Sequence, residues 1–273
     1  MISYPNAKIN LGLNVVEKRP DGYHNIETVF YPVPFCDILE ILPAVSDVPS
    51  FTASGMVIPG PPDQNLCLKA VDLILTAVRR PLSAVSINLH KMIPPGSGLG
   101  GGSSDAAFTL KIMNDLNGLS LSGEDLSLMA ARLGSDCPFF IRNRPAFAEG
   151  RGDVLKEIEV GLHGYFLAIV IPPLHVKTAG AYGMITPGKP AVSVREAVGL
   201  PVEEWKGKLI NDFEKPMVSK FPEIGEVKEK LYELGAVYAS MSGSGSAVYG
   251  LFKNAVPLAD QFPINYFSHI SQL

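Results

Sequence analysis

The chain has 273 residues and a formal net charge of −4, with 47% hydrophobic and 18% charged residues. This balance is typical of a globular protein of one large or two moderate domains, and it argues against a disordered or membrane-spanning chain. The small negative charge also argues against sequence-independent nucleic-acid binding, so any phosphate must be held locally, by backbone amides and a few lysines.

The N-terminal part is predicted to be β-structure. Residues 9–16, 26–33 and 37–42 are rich in β-branched and aromatic side chains, and a turn is predicted between the first two strands. Apolar residues at helical spacing then predict a helix over 66–78. Alternating apolar residues predict a half-buried strand over 84–90, which ends just before a glycine-rich run.

Two helices are predicted after the glycine run. The first has an apolar face between residues 106 and 116 and a glycine at its end, and the second begins with a Ser122–Asp125 capping box. Residues 142–152 have a loop-like composition and are taken as the lobe boundary. Further on, a strand over 165–171, a helix over 224–234 and two apolar strands around a second glycine cluster at 242–246 are predicted. Because strands and helices interleave without strict βαβ alternation, the fold class is α+β.

The start of the chain has no basic segment followed by an apolar run, and the longest apolar stretch, 165–174, is too short to cross a bilayer. We therefore expect a cytoplasmic protein without a membrane partner. Cys36, Cys67 and Cys137 are widely spaced and odd in number, which favours reduced thiols over disulfides or a zinc site. No pattern predicts the oligomeric state.

The glycine run is the strongest functional signal. Five glycines lie between residues 96 and 102, directly before an amphipathic helix. Such a backbone curls around an anion with its N–H groups inward, and the helix dipole adds positive charge. Ser103 and Ser104 add hydroxyls for phosphate oxygens or a magnesium ion, although either also suits helix capping.

Two other kinds of phosphate loop fit the run less well. A P-loop is excluded because the run contains no lysine. Residues 96–101 do satisfy G-x-G-x-x-G, but a dinucleotide-binding unit needs a strand with an acidic end about 20 residues later, whereas a second helix follows here. A nucleoside triphosphate therefore fits better.

Several segments together resemble the GHMP kinases, the superfamily of galactokinase, homoserine kinase, mevalonate kinase and phosphomevalonate kinase. The motifs are residues 5–11, 21–24, 94–105, 134–140, 148–150 and 242–246, which extend over the whole chain. The resemblance implies a two-lobe fold with the active site in the inter-lobe cleft. It further implies an N-terminal nucleotide-binding domain over 1–150, and a C-terminal domain over 151–273 that contributes substrate contacts and the third glycine-rich motif.

The Asp-Gly-Tyr-His element at 21–24 separates the chain from the sugar and mevalonate kinases. The resemblance implies that the γ-phosphoryl of ATP passes to the 2-hydroxyl of 4-diphosphocytidyl-2-C-methyl-D-erythritol, in the non-mevalonate route to isoprenoid precursors. Mg²⁺ is expected to arrive with ATP, and no residue is predicted as a metal ligand.

The resemblance also implies roles for individual residues. Asp136 follows a helix stop, where a carboxylate can accept the hydroxyl proton, although an aspartate there also suits a turn cap. Lys8 shares a strand face with Asn10 and would offset negative charge. The predicted catalytic residues are Lys8 and Asp136. The predicted ATP-binding residues are Asn65, Lys91, Pro94, Pro95, Gly96, Ser97, Gly98, Leu99, Gly100, Gly101, Gly102, Ser103 and Ser104.

Substrate binding is predicted at Asn10, Tyr23, His24, Thr178 and Tyr182. An aromatic face beside a hydrogen-bonding ring suits a cytosine base, which the resemblance assigns to Tyr23 and His24, with Tyr182 as a second aromatic. Asp105 departs from the asparagine common in the superfamily's close members, and Ser97 replaces a frequent glycine.

Two alternatives stay open. One is another GHMP activity, namely a mevalonate or homoserine kinase or a mevalonate diphosphate decarboxylase. The other is a non-catalytic module that senses ATP.

Overall fold

We describe the protein from a computed structural model, which covers residues 1–44, 48–78, 82, 84–176 and 178–273. Helices and strands are interleaved in this part of the chain, which confirms the predicted α+β class. The residues form two compact units. Unit 1 comprises Met1–Ala7, Phe35–Pro95 and Gly100–Arg144, and unit 2 comprises Lys8–Pro34, Gly96–Leu99 and Pro145–Leu273.

The strands in chain order are β1 (Ile2–Ser3), β2 (Asn6–Lys18), β3 (His24–Cys36), β4 (Ile38–Pro43), β5 (Ser50–Gly55), β6 (Val85–Lys91), β7 (Ala146–Glu149), β8 (Val154–Glu157), β9 (Phe166–Ile171), β10 (Tyr238–Met241), β11 (Val248–Phe252) and β12 (Phe267–Gln272). The helices are α1 (Leu66–Ala77), α2 (Gly101–Leu116), α3 (Gly123–Ala131), α4 (Cys137–Arg142), α5 (Thr178–Tyr182), α6 (Val194–Val198), α7 (Glu214–Lys220) and α8 (Pro222–Glu233).

Unit 1 contains a four-stranded sheet in the order β1-β4-β6-β5. β4 pairs antiparallel with β1 and β6, and β5 pairs parallel with β6. Alternation along β4 and β6 buries Leu39, Ile41, Ile87 and Leu89, while α2 packs against α1, α3, α4 and β4. The glycine run therefore lies between a strand of this sheet, β6, and the buried helix α2.

Unit 2 contains two sheets, in the orders β2-β3-β7-β8 and β10-β11-β9-β12. In the second sheet β9 lies between β11 and β12 and pairs antiparallel with both. α8 packs on β10 and β11, and its buried residues Ile224, Val227 and Leu231 join a core that includes Phe213 and Met217. This core holds the strands on either side of the second glycine cluster.

Most of the predicted elements are present, often with longer bounds. The capping box is complete, since the Ser122 side chain accepts from the Asp125 N–H and the Asp125 carboxylate accepts from the Ser122 N–H. The loop predicted over 142–152 is wrong, because β7 lies inside it and pairs with β3 and β8. β7 has only four residues between Pro145 and Gly150, so its strand conformation depends on partners distant in sequence.

The sequence pattern also missed α4, which has six residues and follows Asp136 directly. The units themselves are not continuous halves of the chain, since most of β2 and β3 belongs to unit 2. The division of function at residue 150 stays a prediction. In the described part of the chain, no helix combines the length and apolar character needed to cross a membrane.

Candidate active site

The glycine run ends in the first turn of α2. Gly100 occupies the N-cap position with φ +73°, and the first intrahelical bond runs from the Ser104 N–H to the Gly100 carbonyl, at 2.9 Å. A glycine N-cap has no side chain to satisfy the first-turn N–H groups. These groups therefore point outward at the positive end of a 16-residue helix, which is the arrangement that binds phosphate.

Glycine is required at two positions of the run for different reasons. Gly98 has φ +87°, and a Cβ there would lie 2.2 Å from the Ser242 carbonyl oxygen. Gly101 has helical dihedrals, but a Cβ there would lie 2.9 Å from both the Lys91 Nζ and the Ile93 Cγ2. The first glycine allows two backbone segments of unit 2 to meet, and the second allows α2 to begin beside Lys91 in unit 1.

The second glycine cluster, Ser242–Ser246, packs against residues 96–99 within unit 2. The Ser242 hydroxyl donates to the Gly98 carbonyl at 3.0 Å, and the Ala247 N–H donates to the Ser97 carbonyl at 2.9 Å. The buried Asn211 amide holds this cluster from the other side, because its Nδ2 donates to the Met241 and Gly243 carbonyls at 2.7 and 2.9 Å. Asn211 was not predicted from the sequence, where its only signal is a polar residue after the apolar pair Leu209–Ile210.

Lys8 and Asn10 lie on the same face of β2, as predicted. The Lys8 Nζ is buried, donates to the Asn10 Oδ1 at 2.5 Å and lies 5.0 Å from the centre of the Phe30 ring. Asn10 is fixed in turn, since its Nδ2 donates to the Thr28 hydroxyl at 3.0 Å and its N–H donates to the Ser242 hydroxyl at 3.2 Å. The positive charge of this ammonium suits a site that handles anionic groups.

Asp136 lies at the N-cap position of α4 in unit 1. Its side chain is half-buried and makes no capping bond to α4, and its Oδ1 accepts from the Ser135 hydroxyl at 3.3 Å. The Asp136 side chain therefore does not cap α4, and its role as the base stays a prediction.

The chain around Asp136 lies beside the glycine run within unit 1. The Cys137 thiol hydrogen-bonds with the Ser103 hydroxyl, and a Cβ on Gly134 would lie 3.9 Å from the Ser103 Oγ. Burial raises the pKa of Cys137 to about 12, and the bond to Ser103 opposes this increase. The thiol thus stays protonated and serves packing, while the preceding aspartate is brought next to the phosphate-binding turn.

Three buried charged residues, here called the Lys91 cluster, lie under the start of α2: Asp37, Lys91 and Asp105. The Lys91 Nζ is 2.5 Å from the Asp37 Oδ2 and 2.7 Å from the Asp105 Oδ2, and all three side chains are at most 4% exposed. The Asp37 Oδ1 accepts from the N–H groups of Met92 and Ile93 at 2.6 and 2.8 Å. Lys91 was predicted from the sequence as an ATP contact, whereas no role was predicted for the two carboxylates.

The Lys91 cluster shifts the protonation of its members. Burial raises the pKa of Asp105 to about 7, with a further increase from Asp37, while Lys91 opposes both. Burial lowers the pKa of Lys91, but the carboxylates of Asp105 and Asp37 outweigh it, so the net shift is upward. Lys91 therefore stays an ammonium, and Asp105 is the member whose charge changes near neutral pH.

Asn65 and the two prolines are also placed. The Asn65 Oδ1 accepts from the Cys67 N–H at 2.8 Å and caps α1, which leaves its Nδ2 as the available donor. Pro94 and Pro95 are half-buried at the entry to the run, and Leu99 is fully buried with its carbonyl accepting from the Lys8 N–H at 2.9 Å. Their contact with a nucleotide stays a prediction.

The predicted substrate residues form two groups in unit 2. Tyr23, His24 and Tyr182 are aromatic, whereas Asn10 and Thr178 contact the second glycine cluster. The rings of His24 and Tyr182 are stacked, with centroids 4.8 Å apart and planes at 15°. Tyr23 is 57% exposed, and the Arg151 guanidinium lies 5.1 Å from its ring centre. The Thr178 hydroxyl is 3.2 Å from the Ser244 hydroxyl and so touches the second glycine cluster. Aromatic surface suited to a base is thus available at Tyr23, while His24 and Tyr182 cover each other.

Comparison with known proteins gives the family. The GHMP kinases N terminal domain matches residues 65–144, and the GHMP kinases C terminal domain matches residues 195–265. A 4-diphosphocytidyl-2-C-methyl-D-erythritol kinase of Parabacteroides distasonis is 49% identical over 96% of this chain and 95% of the relative. The kinase of the same name from Bacteroides thetaiotaomicron is 53% identical over 93% of this chain and 92% of the relative. The chain belongs to the GHMP kinases.

As a GHMP kinase the protein is an ATP-dependent phosphotransferase, which confirms the enzyme class and the ATP donor predicted from the sequence. The GHMP kinase fold is confirmed by a crystal structure of 4-(cytidine 5'-diphospho)-2C-methyl-D-erythritol kinase. That protein is 35% identical, with a TM-score of 0.76 over 92% of this chain and 90% of its own. The matched N-terminal region contains the glycine run, the Lys91 cluster apart from Asp37, and Asp136.

Proposed function

We propose that this GHMP kinase transfers the γ-phosphoryl group of ATP to the 2-hydroxyl of 4-diphosphocytidyl-2-C-methyl-D-erythritol, a step toward isoprenoid precursors by the non-mevalonate route. The observation that carries the proposal is identity of about one half, over more than nine-tenths of the chain, to kinases named for this acceptor. We further propose that the reaction takes place in the cytoplasm.

Three parts of the chain have separate roles in the transfer: they bind phosphate, accept the hydroxyl proton and offset negative charge. The N–H groups at the start of α2 hold ATP phosphates, and the flanking glycines let the backbone approach them. Asp136 accepts the proton of the 2-hydroxyl as its oxygen attacks the γ-phosphorus, and the bond to the ADP oxygen breaks. The Lys8 ammonium offsets negative charge that develops during transfer.

The acceptor's cytosine base would bind at the aromatic residues of unit 2. Tyr23 offers an exposed ring face for stacking, and the His24 ring nitrogens offer hydrogen bonds to the polar edge of the base. For Tyr182 to stack on the base from the other side, its ring must separate from His24, since 4.8 Å between centroids leaves no room for a third ring. Thr178 and Asn10 are the remaining proposed substrate contacts.

We also propose that Mg²⁺ binds together with ATP. Among the described residues there is no group of three or more His, Cys, Asp or Glu side chains suited to a metal ion, and one carboxylate oxygen each of Asp37 and Asp105 is bonded to Lys91. We therefore propose that the phosphates of ATP supply most of the ion's ligands, and that the ion neutralises their charge.

The test is a turnover assay with purified protein, ATP and the cytidylated acceptor, with and without Mg²⁺, in which ADP release and the position of the new phosphate are measured. Mevalonate and homoserine serve as competing acceptors. Turnover that is specific for the cytidylated acceptor supports the proposal. Faster turnover of either competing acceptor, or ATP binding without turnover of any acceptor, would refute it.

A further inference from the structure

The Lys91 cluster contacts the chain just before and just after the glycine run, in segments that both belong to unit 1. Asp37 binds the backbone just before the run, through the N–H groups of Met92 and Ile93. Asp105 is the fifth residue of α2, just after the run. Lys91 lies between them, and its Nζ is only 2.9 Å from the position of a Cβ on Gly101. The cluster therefore joins the chain that enters the run to the helix that leaves it.

The burial of the cluster makes this connection rigid. All three side chains are nearly inaccessible to water, and each ionic contact is at hydrogen-bond distance. Charged groups in such a place are strongly destabilising without their partners, so each fixes the position of the others. The direction of the first N–H groups of α2 is then set by a side-chain network beneath the helix, because Gly100 provides no side-chain cap.

We propose that Asp37, Lys91 and Asp105 are positioning residues for ATP, which hold the first turn of α2 in the orientation that binds phosphate. The inference deepens the proposed function and rests on ATP binding at the glycine run. Asp105 is the decisive member, because it is the one that ties α2 itself to Lys91.

A direct contact between Lys91 and phosphate makes the opposite prediction for one substitution. If the ammonium bound phosphate directly, Asp105 would compete with the ligand for it, and removal of the Asp105 carboxylate would leave ATP affinity unchanged or raise it. If the cluster acts through the position of α2, the same removal weakens ATP binding. Asp105→Leu separates the two, because it removes the acceptor while keeping the number and branching of the side-chain heavy atoms.

The experiment compares the full-length chain with Asp105→Leu, Asp105→Asn and Asp115→Asn. Asp115 is exposed near the far end of α2, so its substitution repeats the chemical change away from the site. ATP affinity is measured by calorimetry without acceptor, and steady-state kinetics give KM for each substrate. We expect Asp105→Leu to weaken ATP binding and raise its KM by about tenfold, since a buried charge loses a partner, with the acceptor KM unchanged.

The two asparagine variants complete the comparison. Asp105→Asn keeps an oxygen that accepts from Lys91, so it should recover most of the affinity lost in Asp105→Leu. Asp115→Asn should match the unsubstituted chain. Unchanged or tighter ATP binding in folded Asp105→Leu would overturn the proposal, as would equal increases in both KM values.

A second variant covers the case in which Asp105→Leu does not fold. The triple variant Asp37→Asn/Lys91→Met/Asp105→Leu replaces all three charged groups by neutral ones, an exchange that buried sites often tolerate, and the asparagine oxygen can still accept from the N–H groups of Met92 and Ile93. It should also bind ATP more weakly by about tenfold, because the link between β6 and α2 is lost, and unchanged affinity would overturn the proposal. Because ATP binding is measured without acceptor, failure of the proposed acceptor leaves this result interpretable on its own.

Discussion

Gly98→Ala tests whether the glycine run is built for close contact between backbones. The new Cβ would lie 2.2 Å from the Ser242 carbonyl oxygen and 3.3 Å from the Gly245 carbonyl oxygen, in a residue with φ +87°. Neither oxygen belongs to a side chain that can rotate away, so the loop itself must shift. That shift would also strain the bond from the Ser242 hydroxyl to the Gly98 carbonyl.

The expected loss of stability follows from these contacts. A left-handed backbone conformation costs a non-glycine residue roughly 1–2 kcal/mol, and overpacking of a tight contact costs about 1–3 kcal/mol. Loss of one hydrogen bond adds about 1 kcal/mol. We expect Gly98→Ala to lower the free energy of unfolding by about 3–6 kcal/mol. At about 2–4 °C per kcal/mol in a chain of this size, the melting temperature should fall by roughly 6–24 °C.

Gly102→Ala is the matched control in the same run. Its backbone is helical, and the nearest atom to a new Cβ is the Leu66 Cδ1 at 3.9 Å. Alanine is the better helix former by about 1 kcal/mol, so this variant should be as stable as the unsubstituted chain or slightly more stable. Thermal and urea unfolding of both variants decide the matter. A typical single substitution changes the free energy of unfolding by about 1 kcal/mol. If the free energies of unfolding of Gly98→Ala and Gly102→Ala differ by less than this, the contact at Gly98 is not as tight as described.

Three further predictions concern charge and substrate. Asp136→Asn should keep ATP affinity but lower kcat by about 10²–10⁴-fold, since a general base is lost. Calorimetry measures the affinity and steady-state kinetics measure kcat. An unchanged kcat would exclude Asp136 as the base. Tyr23→Ala should raise KM for the cytidylated acceptor much more than KM for ATP, and equal increases would exclude stacking of the base on Tyr23. Asp105→Asn should become more stable relative to the unsubstituted chain as pH rises. Burial raises the folded-state pKa of Asp105 from 3.8 to about 7. The folded chain therefore binds this proton more tightly than the unfolded chain, and stability falls between about pH 4 and pH 7 as the proton is lost. Melting temperatures at pH 5 and pH 8 test this, and a constant difference between the two proteins would contradict it.

The sequence by itself determined the features that depend on neighbouring residues. The order strand, glycine run, helix is visible because β6 alternates with period two and α2 has a helical apolar face, and the Ser122–Asp125 cap is a contact over three residues. Lys8 and Asn10 were placed on one face for the same reason, and their side chains are in contact. The family was also evident, since its motifs are short and local.

Only the tertiary structure decided which residues surround those motifs. Asn10 and Ser242 are 232 residues apart, and Lys91 and Asp37 are 54 apart, yet both pairs form hydrogen bonds. A period of 3.6 or 2 residues reports which face is buried, but not which distant side chain meets it there. No local pattern predicted the roles of Asp37, Asp105 and Asn211, because the role of a buried polar residue depends on the partner that satisfies it. The glycine run was thus readable from sequence, and the charged residues beneath it were not.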